Sequence, residues 1–306
     1  MNLQYLTHNT IDRQAWDACV AESPIPMIYG TTAFLDVTAP NWDGIVADNY
    51  RTVMPVPHRK KMGIHYAFRP VLTQQLGVFG KQADHVETVQ QFIDFLSLHF
   101  RFAEIPLNTT NPATGRIYGT GVTHYLALDE SFETISKSFT INHRRNISKA
   151  QKAGYIFAEH MQFDDLQTIV AESPEEWIKA IDKSYAHEML MAIEILINRK
   201  VARLFAINNQ QGVPVAMALF SEYNNQLNYL FGISNHEGKQ NRAMFLMFSS
   251  IIEMYSGTGK QLDFEGSETE SIARFFRGFG GLPANYAKIR INRLPAVVGF
   301  LKNKKK

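Results

Sequence analysis

Three strand-length apolar runs separated by two short turns constrain this chain more than any other stretch. They are Ala202 to Ile207, Val215 to Ser221 and Leu227 to Ile233. The first two are joined by Asn208-Asn209-Gln210-Gln211-Gly212 and the last two by Asn224-Asn225, residues that tolerate the positive φ of tight turns. An antiparallel meander follows, and a meander needs a cover for its apolar face. The chain supplies one at once: after the loop Ser234 to Asn241, the segment Arg242 to Tyr255 reads as a helix that is apolar nearly all round and therefore buried against sheet. Its methionines, Met244 and Met247, read as core filler. A strand Gln261 to Phe264, a helix Ser271 to Arg277 and a strand Tyr286 to Ile291 complete the run. The order predicts a mixed sheet flanked by helices.

Upstream, strands and helices alternate in the same way. A helix is expected from Ser131 to Ala153, ended by Gly154 as its C-terminal cap, then a strand Tyr155 to Glu159 and helices Phe163 to Glu172 and Pro174 to about Leu196. The first half reads as helices Asp12 to Glu22 and Thr31 to Val37, and strands Trp42 to Ala47, Tyr50 to Pro55, Gly63 to Phe68 and Gln75 to Phe79. A helix follows with Val89, Phe92, Ile93, Leu96 and Phe100 on one face, then a strand Phe102 to Pro106. The turn formers of Asn108-Thr109-Thr110-Asn111-Pro112-Ala113-Thr114-Gly115 mark a boundary, so 306 residues divide into domains 1–120 and 121–306. The single cysteine, Cys19, precludes an internal disulfide and Cys-rich metal sites, and is expected to be buried on the first helix. With no signal-peptide pattern at Met1-Asn2-Leu3-Gln4-Tyr5 and no apolar run near 18 residues, a cytoplasmic protein without a membrane span is expected.

The net charge of +2 hides two basic segments without an acid. Lys137 to Lys152 carries Lys137, Arg144, Arg145, Lys149 and Lys152, and Arg51 to Arg69 carries five more, with His58-Arg59-Lys60-Lys61 at a hairpin tip. Each reads either as a phosphate-binding face or as a solvated face offset by Asp164-Asp165 and Glu175-Glu176.

Two motifs carry a resemblance. In the helix Ser138 to Gly154, residues Arg144, Ile147, Lys149, Ala150, Lys152 and Gly154 form Arg-x-x-Ile-x-Lys-Ala-x-Lys-x-Gly. Further on stand Asp263-Phe264-Glu265-Gly266-Ser267, a strand ending in Asp-Phe-x-Gly, and Phe275-Phe276-Arg277-Gly278-Phe279-Gly280-Gly281, a helix ending in Phe-(Lys/Arg)-x-Phe-Gly, with Tyr286 beyond. With the element order over residues 122 to 292, these resemble the FemABX peptidyltransferase and FemAB-like acyltransferase group of the GNAT acyltransferase superfamily. The resemblance implies an α+β (mixed α/β) chain of two tandem GNAT-like domains. It implies an acyltransferase, N-acetyltransferases included, that moves an acyl or aminoacyl group from acyl-CoA or aminoacyl-tRNA to a small-molecule or peptide amine. A tRNA acceptor end is then a partner, and no metal is required. One departure stands out: acetyl-CoA-using GNAT proteins carry Arg/Gln-x-x-Gly-x-Gly/Ala before the long helix, whereas this loop reads His236-Glu237-Gly238-Lys239-Gln240-Asn241-Arg242-Ala243, with one glycine.

The resemblance places the reaction between the meander strand Asn228 to Ser234 and the strand Gln261 to Glu265. Glu265 is the candidate proton acceptor, against a structural reading in which Asp263 and Glu265 pair with Arg274 or Arg277; Tyr229 is the second catalytic candidate, against a core tyrosine. Ser234, Gly238, Lys239, Asn241 and Arg242 are the donor-binding candidates, and Arg144, Arg145, Lys149, Tyr185 and Arg277 the substrate-binding ones. No Ser/His/Asp elbow, CxxC, HExxH or Walker loop competes. The alternative, from a different class, is a non-catalytic GNAT-fold module that binds a phosphate-bearing ligand.

Overall fold

A computed structural model describes residues 1–61, 63–113, 115–173, 183–266 and 268–294. In chain order the elements are β1 (Leu3–Leu6), α1 (Arg13–Ala21), α2 (Thr32–Thr38), β2 (Trp42–Ala47), β3 (Thr52–Lys61), β4 (Ile64–Ala67), β5 (Phe79–Gly80), α3 (Val86–His99) and β6 (Phe102–Pro106). They continue with β7 (Ile117–Ala127), α4 (Phe132–Lys137), α5 (Ile141–Lys152), β8 (Ile156–Met161), α6 (Phe163–Glu172), α7 (Lys183–Asn198), β9 (Ala202–Asn208), β10 (Pro214–Tyr223) and β11 (Gln226–Ser234). The last are α8 (His236–Gln240), α9 (Ala243–Tyr255), β12 (Gln261–Asp263), α10 (Glu270–Arg277) and β13 (Leu282–Asn292). Among the described residues no helix is long and apolar enough to cross a membrane.

The chain forms two compact units, Met1–Gly121 with the chain from Asn285, and Val122–Ala284. The first has the strand order β1-β2-β3-β4-β6-β13, with β5 on β3, and the second β7-β12-β11-β10-β9-β8. Each contains one parallel pair joined through a helix: β4 and β6 with α3 between them, β11 and β12 with α9 between them. A parallel pair requires such a crossover, because a tight turn can only reverse the chain. In the second unit α9 buries Leu246, Met247, Phe248, Ile251 and Ile252 against Phe205, Val215, Ala218 and Phe220 of the meander. In the first, α1 is capped by Asp12, which accepts from the Ala15 amide, and buries Trp16, Cys19 and Val20. Cys19 is free, and burial pushes its thiol up to about 12.

The structure differs from the sequence reading in three places, two of them where polar side chains compete for the backbone. The expected single helix over 131–153 breaks into α4 and α5, because Thr140 leaves the helix to accept from the His143 amide and to donate its own N–H to Gly278 O. The strand expected over 75–79 shrinks to β5, because Asn108 and Asn111 bond both backbone groups of Val78 and Gln75 accepts from the Thr109 amide. The strand at 286–291, expected in the second domain, begins at Leu282 and pairs with β6, Ile289 opposite Ile105, so the chain from Asn285 belongs to the first unit. The expected start of the helix at Pro174, the pair Glu175-Glu176, Ser267 of the second motif and the tail Leu301 to Lys306 lie outside the described residues.

Candidate active site

The parallel pair β11–β12 lasts only three residue pairs, Gln226 with Gln261, Leu227 with Leu262 and Asn228 with Asp263. Beyond them both strands depart from regular geometry. On β11, Phe220 of β10 lies opposite Tyr229 while the next residue back, Leu219, lies opposite Phe231, which leaves Leu230 as an extra residue in a β-bulge. After β12 the chain is turned aside: the Phe264 amide bonds His124 O, and Glu265 and Gly266 take φ of +53° and +50°. The Asp263 carboxylate holds this turn, accepting from the Glu265 amide at 2.9 Å and from the Thr123 hydroxyl. A side chain in the left-handed region is strained, and such strain concentrates at functional sites.

A cavity of about 400 Å³ occupies the opening between the two strands. Its walls are Tyr229 and Leu230 from β11, Met244 and Phe248 from α9, Phe264, Glu265 and Gly266 after β12, and Ser271, Ile272, Phe275 and Phe276 from α10. The structure thus brings the two catalytic candidates, Glu265 and Tyr229, into one pocket. Met244, expected to be core filler, lines it, while Met247 is fully buried. Glu265 is 7% exposed, and burial holds its carboxyl well above the ordinary carboxylate range. Burial likewise raises the Tyr229 phenol far above its usual value, so it is a hydrogen donor at any physiological pH. Its ring meets Phe248 edge-on at 4.9 Å, and its hydroxyl lies over Gly232, where a Cβ would overlap it. Phe264 stacks on Phe276 at 4.9 Å to close the aromatic side of the cavity.

A second neighbourhood forms around the loop before α9. Lys149 of α5 donates to Gln240 O at 2.8 Å, Asn241 donates to Tyr155 Oη at 3.1 Å, and Tyr155 donates to Glu237 Oε1 at 3.1 Å. Asn235 caps α8 by accepting from the Gly238 amide at 2.9 Å. The amides of Lys239, Asn241 and Arg242 also donate within the loop. Gly238 is buried, and a Cβ there would strike Val215 O, so its lack of a side chain serves packing against β10. Lys239 and Arg242 are exposed, with Arg242 at φ +67° as the N-cap of α9. The basic helix and the donor loop, two separate sequence predictions, therefore meet, and their cations are carried on side chains.

The remaining candidates lie elsewhere. Ser234 is buried opposite Ala216 in the sheet, Arg144 reaches back to Lys137 O at 3.4 Å, and exposed Arg145 lies one turn before Lys149. Arg277 pairs with Glu270, and Tyr185 is half-buried on α7 and absent from the cavity wall.

Sequence reasoning missed His143. It is buried, donates from Nε2 to Phe275 O at 2.8 Å, and faces the Thr140 hydroxyl through Nδ1 at 2.8 Å; burial lowers its pKa, which keeps it neutral. Phe245, Phe275 and Phe279 surround the ring, and a Cβ on Gly278 would overlap it. The two motifs are thereby the two halves of one joint between α5 and α10. The available signal was Thr140-x-x-His143 at a helix start, a side-chain cap that a 23-residue helix would not need.

No protein-family profile matches the chain, and no curated protein matches it in sequence. Solved structures do. FemX superposes with a TM-score of 0.68 at 13% identity over 100% of both chains. A tandem GNAT protein from the clavulanic acid biosynthesis pathway gives 0.55 at 11% identity, covering 96% of this chain and 100% of its own. L-PGS from Bacillus licheniformis gives 0.52 at 11%, covering 92% and 97%. The fold is the mixed α/β fold of FemX and the GNAT proteins, as the two motifs imply.

Proposed function

We propose that this chain is an acyltransferase that moves an acyl or aminoacyl group from a phosphate-bearing carrier to an amine by direct attack. The observation that carries the reading is the cavity at the opening of β11 and β12, with Glu265 and Tyr229 in its wall and α9 running from it to a cationic loop. The resemblance and the fold of FemX and of a tandem GNAT protein support it.

The chemistry needs a neutral amine, a polarised carbonyl and an outlet for the proton. The amine nitrogen bonds to the acyl carbon as the carbon–sulfur or carbon–oxygen bond to the carrier breaks. Glu265, when ionised, takes the amine proton; a carboxylate with a raised pKa is a stronger base than an ordinary one. Tyr229, held protonated by burial, donates a hydrogen bond to the leaving sulfur or oxygen, and the proton that Glu265 takes from the amine passes to that leaving group directly or through water. The bulge at Leu230 frees backbone from regular pairing beside the carbonyl. Lys149, Lys239 and Arg242 would hold the carrier's phosphates by side-chain charge, because the loop's Gly238, Lys239, Asn241 and Arg242 amides are spent internally. The donor is an acyl-CoA or an aminoacyl-tRNA, the acceptor an amine, and the compartment this requires is the cytoplasm. Coenzyme A release over an amine panel, and aminoacyl transfer from charged tRNA, test it. Failure of both assays, with no thermal shift from coenzyme A, overturns it.

The inward-turned loop amides favour a second reading, a non-catalytic module that binds a phosphate-bearing ligand. It expects binding that Arg145→Ala abolishes and no transfer that Glu265→Gln could change.

A further inference from the structure

The cavity is far larger than an acetyl group needs, and its wall is mostly apolar. At roughly 30 Å³ per non-hydrogen atom, the share a water takes in its liquid, it holds on the order of a dozen such atoms. The side chains of Leu230, Met244, Phe248, Ile272, Phe275 and Phe276 are hydrocarbon, ring or thioether, and the polar side chains of the wall are those of Glu265, Ser271 and Tyr229. An acetyl methyl would leave most of this wall without contacts, and each uncontacted atom forfeits dispersion energy. A polar carrier arm would bury its amides with few partners, which is costly. The wall also gives the direction of the ligand. Met244 and Phe248 stand one helical turn apart, about 6 Å along α9, and Arg242 precedes Met244 at the exposed helix start. A donor anchored by phosphate near Arg242 therefore has the cavity at the inner end of its path, and the end that meets Met244, Phe248, Tyr229 and Glu265 is its acyl end.

We propose that the transferred group is an apolar acyl or aminoacyl unit with a straight chain of about eight carbons or an aromatic ring, seated in the cavity at the opening of β11 and β12. This rests on the acyltransferase reading and adds the class of group transferred.

The test uses two series on the full chain. In the first, N-methyl amides of straight-chain acids from two to ten carbons, and of phenylacetic acid, are titrated by calorimetry without any carrier. In the second, the same acyl groups are offered as coenzyme A thioesters with an amine panel, alongside tRNA charged with glycine or phenylalanine. The amide affinities are expected to rise about fourfold per methylene up to about eight carbons, the burial gain of one methylene. Octanoyl and phenylalanyl donors are expected to outpace acetyl and glycyl ones by the same trend. Ile272 is 41% exposed at the cavity's edge, so Ile272→Trp folds and fills the space, and it should flatten both series. A flat amide series, or acetyl transfer as fast as octanoyl transfer, overturns the proposal and leaves the acyltransferase reading standing. A rising amide series that Ile272→Trp flattens, with no transfer from any donor, upholds the cavity's preference and sinks the acyltransferase reading instead.

Discussion

Replacing Glu265 by glutamine separates a proton acceptor from a mere cavity-wall residue, because the two roles have opposite signs. Glu265 is 7% exposed and its carboxyl is raised by burial, so the fold favours its neutral form. In the unfolded chain a glutamate titrates near about 4.3, and each unit by which the fold raises that value is worth about 1.4 kcal/mol. Below the unfolded value both states are protonated and burial carries no ionic penalty. As pH rises past it the unfolded chain gains charge that the folded chain refuses, so wild-type stability falls until the pH passes the folded pKa. Glu265→Gln is the permanent analogue of the neutral form. It should match wild type near pH 4 and exceed it at pH 8, by about 1.4 kcal/mol for every unit of the shift, in urea titrations of both proteins. Activity moves the other way: loss of a general base lowers kcat by about 10² to 10⁴, and the acid limb of the kcat/KM profile disappears with it. A stability difference equal at pH 4 and pH 8 would refute the buried-neutral assignment. An acid limb that survives in the glutamine variant would refute the catalytic one.

Three further substitutions test the parts that shape the site. Gly278→Ala puts a Cβ into the His143 ring, and chemical denaturation should show a loss of about 1–3 kcal/mol; an unchanged midpoint would refute the joint between α5 and α10. Gly238→Ala drives a Cβ against Val215 O, a backbone atom that cannot swing away, so a similar or larger loss is expected even without ligand; a variant of normal stability that only loses donor affinity would return Gly238 to a phosphate-binding role. Thr123→Val removes a hydroxyl from the buried Asp263 carboxylate that holds the turn at Glu265, and about 1–3 kcal/mol should be lost, with kcat falling more than affinity for the donor. Equal loss of both would detach the turn from the reaction.

What could be read from the sequence was whatever local pattern decides. The meander, α9 and α10 were legible because alternation, turn residues and a continuous apolar run each point to one structure. β5 was not, because its register depends on Asn108 and Asn111, about 30 residues away, taking the place of a neighbouring strand. The break before α5 was equally hidden, since it depends on Gly278 O receiving the Thr140 amide. At the site, Glu265 was singled out by its place at the end of a strand and Tyr229 by its position on the meander strand, and both line the cavity, their catalytic roles being proposals. The aromatic wall was not singled out, because a phenylalanine facing a cavity and one facing a core have the same sequence signal.

The second motif supplies Phe264, Glu265, Gly266, Phe275 and Phe276 to the cavity wall, while its other described residues and those of the first motif stand behind that wall. His143 and Gly278 do not line the cavity themselves, yet they fix the C-terminal end of α10, the helix that supplies Ser271, Ile272, Phe275 and Phe276 to it. Phe275 does both: its carbonyl accepts from His143 and its ring lines the cavity. Asp263 does the same for the opposite wall, spending its carboxylate on the turn that presents Glu265. A rigid frame of this kind is what a left-handed glutamate and a bulged strand need, since both conformations persist only where the surroundings over-determine them. The sequence pattern that carries the resemblance therefore both builds part of the cavity wall and holds that wall in place.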